Sequence, residues 1–234
     1  AGPAFVRRHY TLERLADNNE VAGFKFATVG VIYAVLLGFA VIVVWEKFHD
    51  AEAAVMQEAG AATTLYRLSD GLAADAAPRL RDGLTQYLHA TIAEDWPAME
   101  RGTASPAVTR TLTAIYDDVL REKPGESPSA VMSEVLSQLD ALTAARRSRL
   151  QLASGAAPGA IWVVLLGGAV ITIGFTFFLA SRNLRAQILM VGMLSFLVFL
   201  ALLVIITIDH PFTGPVHVHS EPLELVLHEF APDG

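Results

Sequence analysis

Three apolar runs without a single charge, at residues 26–45, 159–180 and 186–208, interrupt a chain that elsewhere mixes apolar with charged positions. At about 1.5 Å per residue, each run can cross a hydrocarbon core of roughly 30 Å as a helix. A bilayer admits only helices or closed barrels, and uninterrupted runs of this length specify helices. The second and third runs are parted only by Ser181, Arg182, Asn183, Leu184 and Arg185, which predicts a hairpin. Beyond the first run the apolar pattern does not stop. Trp45, Phe48, Val55, Ala59, Ala62, Leu65, Tyr66 and Leu72 recur mostly at threes and fours, so the membrane helix is expected to continue into water as an amphipathic extension.

Pro78 opens a second amphipathic segment, with Leu80, Leu84, Tyr87, Leu88, Thr91 and Ile92 on one face. It is expected to end near Trp96 and Pro97, because the residue before a proline disfavours helix. Ser105 before Pro106 and Ser127 before Pro128 each offer a capping hydroxyl ahead of a proline suited to the first turn. Between them, residues 123–126 read as a loop. The helix after Ser127 should bury Val131, Val135, Leu139, Leu142 and Leu150, with Gly155 and Pro158 marking entry to the second span. This predicts two long helices crossing the water–lipid boundary, with two shorter ones packed between them. After the third span, residues 209–214 read as a turn and residues 215–219 alternate like a short strand. Ser220 with Pro222 then caps a last helix through Phe230.

The expected fold is all-α: a polytopic membrane protein with three visible transmembrane helices, room for a fourth upstream, and an extramembrane helical bundle inserted between the first and second. Its divisions are a membrane-proximal segment at 1–25, a span at 26–47, the helical domain at 48–158, a span at 159–180, a basic loop at 181–185, a span at 186–208 and a tail at 209–234.

Charge narrows the function. Residues 48–158 hold 15 Asp/Glu against 10 Lys/Arg, so nucleic acid and anionic surfaces are poor partners for that domain. Membrane lipid, further copies of the chain, or other membrane subunits are the expected partners. With no cysteine, thiolate metal sites, c-type haem and iron–sulfur clusters are excluded. The spans hold neither His nor Lys, and no cofactor is expected. No Gly-x-Ser-x-Gly elbow, phosphate loop, dinucleotide fingerprint or zinc-protease helix is present, so no enzymatic activity is expected. Near the membrane, Arg7, Arg8, Arg14, Lys25, Arg182 and Arg185 lie on one side, against Lys47, Arg146, Arg147 and Arg149 on the other. The positive-inside rule then makes the hairpin side cytoplasmic and sets the helical domain and C-terminus outside, across a bacterial plasma membrane.

Gly23, Gly30 and Gly38 share a face of the first span, where small residues let helix backbones approach. That face serves packing within one subunit, a subunit contact or a pore lining. Asn18, Asn19 and Glu20 precede the span, as a helix cap beside the positive end of the dipole or as a polar vestibule. His217 and His219, close to Asp209, His210 and Glu221, combine imidazole with carboxylate as a zinc site would. Arg146, Arg147 and Arg149 are expected to attract phosphates or to pair with carboxylates such as Glu52 or Glu58. Glu94, Asp95 and Trp96 read as two exposed carboxylates beside a tryptophan plug.

Taken together, several segments resemble the bestrophin-like bacterial membrane proteins. These are residues 18–24, residues 29–39, then Trp45, Ala51, Glu58 and Ala59, then Tyr87, residues 94–97, residues 146–150, Pro158 with Trp162, and residues 209–214. Order and spacing hold over almost the whole chain. The resemblance implies paired membrane helices around a helical insert and, by analogy to true bestrophins, an oligomeric anion channel with a hydrophobic constriction formed by residues such as Phe26, Val29 or Tyr33. It also implies one more span upstream and a cytoplasmic helical domain, opposite to the charge count. Against the channel stands a second expectation, a non-conducting accessory subunit of a larger membrane complex.

Overall fold

The computed structural model describes residues 2–17, 19–123, 125–153, 159–181 and 183–230. Ten α-helices follow in order: α1 (Gly2–His9), α2 (Leu12–Asp17), α3 (Asn19–Leu68), α4 (Ala76–Ala90), α5 (Trp96–Glu100), α6 (Pro106–Leu120), α7 (Ser129–Leu152), α8 (Gly159–Phe178), α9 (Leu184–Ile208) and α10 (Glu221–Phe230). No strand occurs among the described residues. Three of the helices, α3, α8 and α9, are long and apolar enough to cross a membrane.

The chain divides into two units, residues 1–46 with 156–209, and residues 47–155 with 210–234. In the first, α3, α8 and α9 pack through Tyr33, Ala169 and Val198, and most of the remaining apolar side chains face outward. Val31, Phe39, Val163, Val170, Met193 and Leu197 are all exposed, as lipid-facing helices require.

The second unit has its own hydrophobic core. α3 supplies Ala51, Val55, Ala62 and Leu65, α4 supplies Leu80, Leu84 and Leu88, α6 supplies Val108 and Ile115, and α7 supplies Val135, Leu139 and Leu142. α3 runs unbroken from Asn19 to Leu68, so the first span does continue as an amphipathic extension. The matching expectation for the second span falls on Gly155 and Pro158, outside the described residues. Residues 210–230 pack into this unit, with Phe212, Val218, Leu223, Val226 and Phe230 all buried in its core.

Local expectations differ at three places. Ser105 caps α6 by accepting from the Ala107 amide at 3.1 Å, but Ser127 does not cap α7. Its hydroxyl accepts instead from the Ala73 amide at 2.8 Å, tying two loops. Residues 215–219 form no strand, since no partner strand exists among the described residues; Val218 is buried and its amide donates to Pro211 O at 2.7 Å. Finally, the helix over 76–90 does not stop before Pro97. Residues Thr91–Asp95 form a π-turn, in which the Trp96 amide donates five residues back to Thr91 O, and Pro97 falls in the first turn of α5. There the missing amide leaves no gap in the ladder.

Candidate functional site

Two places gather polar chemistry or unusual packing: a buried ionic cluster in the helical unit, and the faces of α3 in the membrane unit.

The cluster begins with heptad-like stripes. On α3 the positions Ala51, Val55, Glu58, Ala62 and Leu65 follow one inward face, and on α7 so do Val135, Leu139, Leu142, Arg146 and Arg149. Apolar neighbours therefore carry Glu58 and Arg149 to full burial, each 0% exposed. The π-turn completes the site. Its last residue, Asp95, is fully buried. Gly102, at φ +68°, ends α5 with Thr103 N donating to Ala98 O and Gly102 N to Met99 O. That left-handed turn directs the chain to Ser105.

Arg149 donates from Nε to Glu58 Oε2 at 2.6 Å and from Nη2 to Glu58 Oε1 at 3.0 Å. A further bond reaches Asp95 Oδ2 at 3.3 Å. Its guanidinium lies 4.8 Å from the Trp96 ring centroid and contacts Met99 Sδ at 3.2 Å. Arg146 grips the same Asp95 from Nε at 2.8 Å and Nη2 at 3.2 Å, and also reaches Thr109 and Ser105 O. The Ser105 amide donates to Asp95 Oδ1 at 2.8 Å, and the Tyr87 hydroxyl donates to Glu58. Burial, reinforced by the Glu58 charge, pushes the Tyr87 phenol well above its ordinary range, so it stays a neutral donor. Burial alone would lower the Arg149 pKa, but the charge and hydrogen bonds of Glu58 more than reverse this and hold it protonated. Two cations and two carboxylates satisfy one another. Chemically the cluster is a lock that fixes the register of α3, α7 and the π-turn.

Of the pairings expected from sequence, Glu58 is the partner of Arg149, while Glu52 is exposed and lies 3.3 Å from His49. Arg147 points outward. Asp95, expected to be exposed, is fully buried, whereas Glu94 remains outside and accepts from the Ser105 hydroxyl at 2.8 Å.

In the membrane unit, Tyr33 is buried, its hydroxyl donating to Leu165 O at 3.1 Å and its ring lying over Gly168. It belongs to the seam between α3 and α8. Beside that seam, Val29, Ile32, Leu36, Val163 and Gly167 line an apolar groove of about 450 Å³. Phe26 and Val29 are half-buried. At Gly23, Gly30 and Gly38 a Cβ would meet nothing within 4 Å, so packing within the subunit does not explain them. Asn19 does not cap α3. Its side chain accepts from the Ala180 amide at 2.9 Å and donates to Ala180 O at 3.3 Å, fastening the start of α3 to the end of the second span. Glu20 is exposed in the first turn of α3, and Asn18 lies outside the described residues.

The rings of His217 and His219 meet at 4.3 Å between centroids, with His217 Nδ1 2.9 Å from Gly214 O. Among the described residues no group of three or more His, Asp or Glu side chains is placed to hold a metal ion.

The Bestrophin-like domain family matches residues 2–223. A point-mutant crystal structure of a bacterial bestrophin homologue from Klebsiella pneumoniae superposes with a TM-score of 0.73 at 16% identity, covering 92% of this chain and 90% of that one. A second mutant of the homologue from the same organism gives 0.70 at 18% identity over 88% and 86%. A crystal structure described as a membrane protein gives 0.72 at 18% identity over 92% and 90%. No curated protein matches the chain.

Proposed function

The chain belongs to the bestrophin-like family, and on that premise we propose that it is a homo-oligomeric ion channel whose subunits meet along the glycine flank of α3. The asymmetry of α3 carries this reading. One side is locked to α8 by Tyr33 over Gly168, while Gly23, Gly30 and Gly38 face open space. In lipid, close approach at small residues drives helix association, so another copy of α3 fits that flank. A ring of such contacts sets α3 around an axis, where Phe26 and Val29 narrow the passage without a charge and Asn19 and Glu20 stand at its mouth. Anion conduction is what the resemblance suggests, yet Glu20 at one end of the first span and Glu46, Asp50 and Glu52 beyond the other are exposed and repel anions.

Purified chain is expected to form symmetric rings of one polypeptide and to pass ions in proteoliposomes, with the reversal potential in a salt gradient giving the sign of the ion. Gly30→Leu combined with Gly38→Leu should break the ring and abolish flux. A single copy of the chain, co-purifying in fixed ratio with unrelated subunits, would replace this reading with the accessory one.

We further assign the hairpin of α8 and α9 to the cytoplasmic side of a bacterial plasma membrane, with the helical unit outside. Arg146 and Arg149, two of the four cations counted on the other side, are paired with buried carboxylates, which supports the bias. Lys123→Cys should then react with a membrane-impermeant thiol reagent in intact cells. Labelling seen only after lysis reverses the assignment.

A further inference from the structure

We propose that the rim of the membrane unit formed by α1, the start of α3 and the turn into α9 binds acidic phospholipid headgroups through Arg8, Lys25 and Arg185. This inference needs only the membrane-spanning fold and does not depend on conduction.

α1 is held at the ends of the second and third spans. Gly2 lies against the Phe177 ring, the Tyr10 and Phe178 rings are 6.4 Å apart, and Arg7 donates to Ser181 O and to Gln187 Oε1. Its partners are the last residues of one span and the first of the next, so α1 lies at the boundary between hydrocarbon and water. Within α1, Pro3 and Val6 turn inward, and Phe5 and Arg8, one turn apart, turn outward. Arg7 is consumed in packing, and Arg8 is exposed.

The same pairing of a cation with an exposed apolar side chain occurs twice more. Phe5, one turn before Arg8, is 65% exposed, Val21, one turn before Lys25, is 56% exposed, and Leu189, one turn after Arg185, is 65% exposed. Apolar side chains this bare at the end of a span sit among acyl chains, and a long basic side chain next to them extends its charge toward phosphate. Among the described residues none of the three cations has a carboxylate partner. Glu13, Asp17 and Glu20 are exposed in the same part of the chain, but among the described side chains Arg7, Arg8, Lys25 and Arg185 outnumber those three acids. The rim is therefore net positive. A soluble anion would need only the cations. The apolar side chain beside each one selects a ligand with both a phosphate and a hydrocarbon tail.

The test uses the full chain in detergent micelles with equal phosphatidylglycerol and phosphatidylcholine, and native mass spectrometry reads the retained lipid. The wild type is expected to retain phosphatidylglycerol preferentially. Arg8→Gln, Lys25→Gln and Arg185→Gln together should erase the preference, by about fivefold per charge, whereas Arg8→Lys with Arg185→Lys should keep it. Equal retention of the two lipids by the wild type, or an unchanged preference in the triple glutamine variant, overturns the proposal. So does displacement of the lipid by millimolar glycerol 3-phosphate, which would mark a site for free phosphate. Should the triple variant fail to fold, the wild-type comparison still decides.

Discussion

Replacing Arg149 with alanine is expected to destabilise the helical unit by about 3–5 kcal/mol, the cost of leaving a buried carboxylate without its counter-charge. Glu58 is fully buried and takes two of its hydrogen bonds from Arg149, so only Tyr87 would remain beside it. Asp95 would suffer less, because Arg146 holds both of its oxygens and the Ser105 amide adds a third donor. The readout is thermal unfolding of the detergent-solubilised chain, with a fall on the order of 10 °C. Arg149→Lys should lie between the two, since a single ammonium keeps the charge and loses the forked grip on Glu58. Adding Glu58→Leu to Arg149→Ala should recover part of the loss by removing the stranded charge. A melting point within a degree of wild type for Arg149→Ala would show that Glu58 needs no counter-charge, and the lock would then be no lock.

That cluster was partly legible in the sequence. Glu58 falls in step with Val55, Ala62 and Leu65, and Arg146 and Arg149 fall in step with Leu139 and Leu142. A charge in phase with an apolar stripe is a charge headed for the core, where it must be paired. Arg147, named with them among the expected partners, is out of phase, whereas Glu52, three residues before Val55 and seven before Ala59, is not, so phase alone did not choose between it and Glu58. Asp95 was legible only in part: seven residues after Leu88 it shares the phase of that stripe, but the helix end expected near Trp96 left it read as exposed. The π-turn at Thr91–Asp95, which carries the helix on and puts Pro97 in the first turn of α5, has no signal in the pattern. The three spans and the extension of α3 could be read because lack of charge and period are local properties of the chain. The fate of residues 210–230 could not, since Phe212, Val218 and Phe230 are short-range signals whose burial is decided by distant helices. The first-span glycines illustrate the same limit from the other side. Their spacing suggests a close approach, but only the fold shows that a Cβ at any of them would meet nothing within 4 Å.

Adjacent glycines on α8 should behave in opposite ways. A Cβ at Gly168 would come within 2.5 Å of the Tyr33 ring, which is buried and anchored at its far end to Leu165 O at 3.1 Å. The ring cannot swing aside without losing that bond, so Gly168→Val is expected to overpack the seam and destabilise the membrane unit by about 1–3 kcal/mol. At Gly167 a Cβ meets nothing within 4 Å, and Gly167→Val should leave thermal stability in micelles within experimental error of wild type. Tyr33→Ala alone should also destabilise, by removing a buried aromatic side chain. Combined with Gly168→Val, it should restore part of what either change loses, because the valine then fills space the ring has left. A coupling energy near zero between the two substitutions would mean that Tyr33 and Gly168 do not meet. The seam that fixes one side of α3, and with it the case for a free glycine flank on the other, would then be lost.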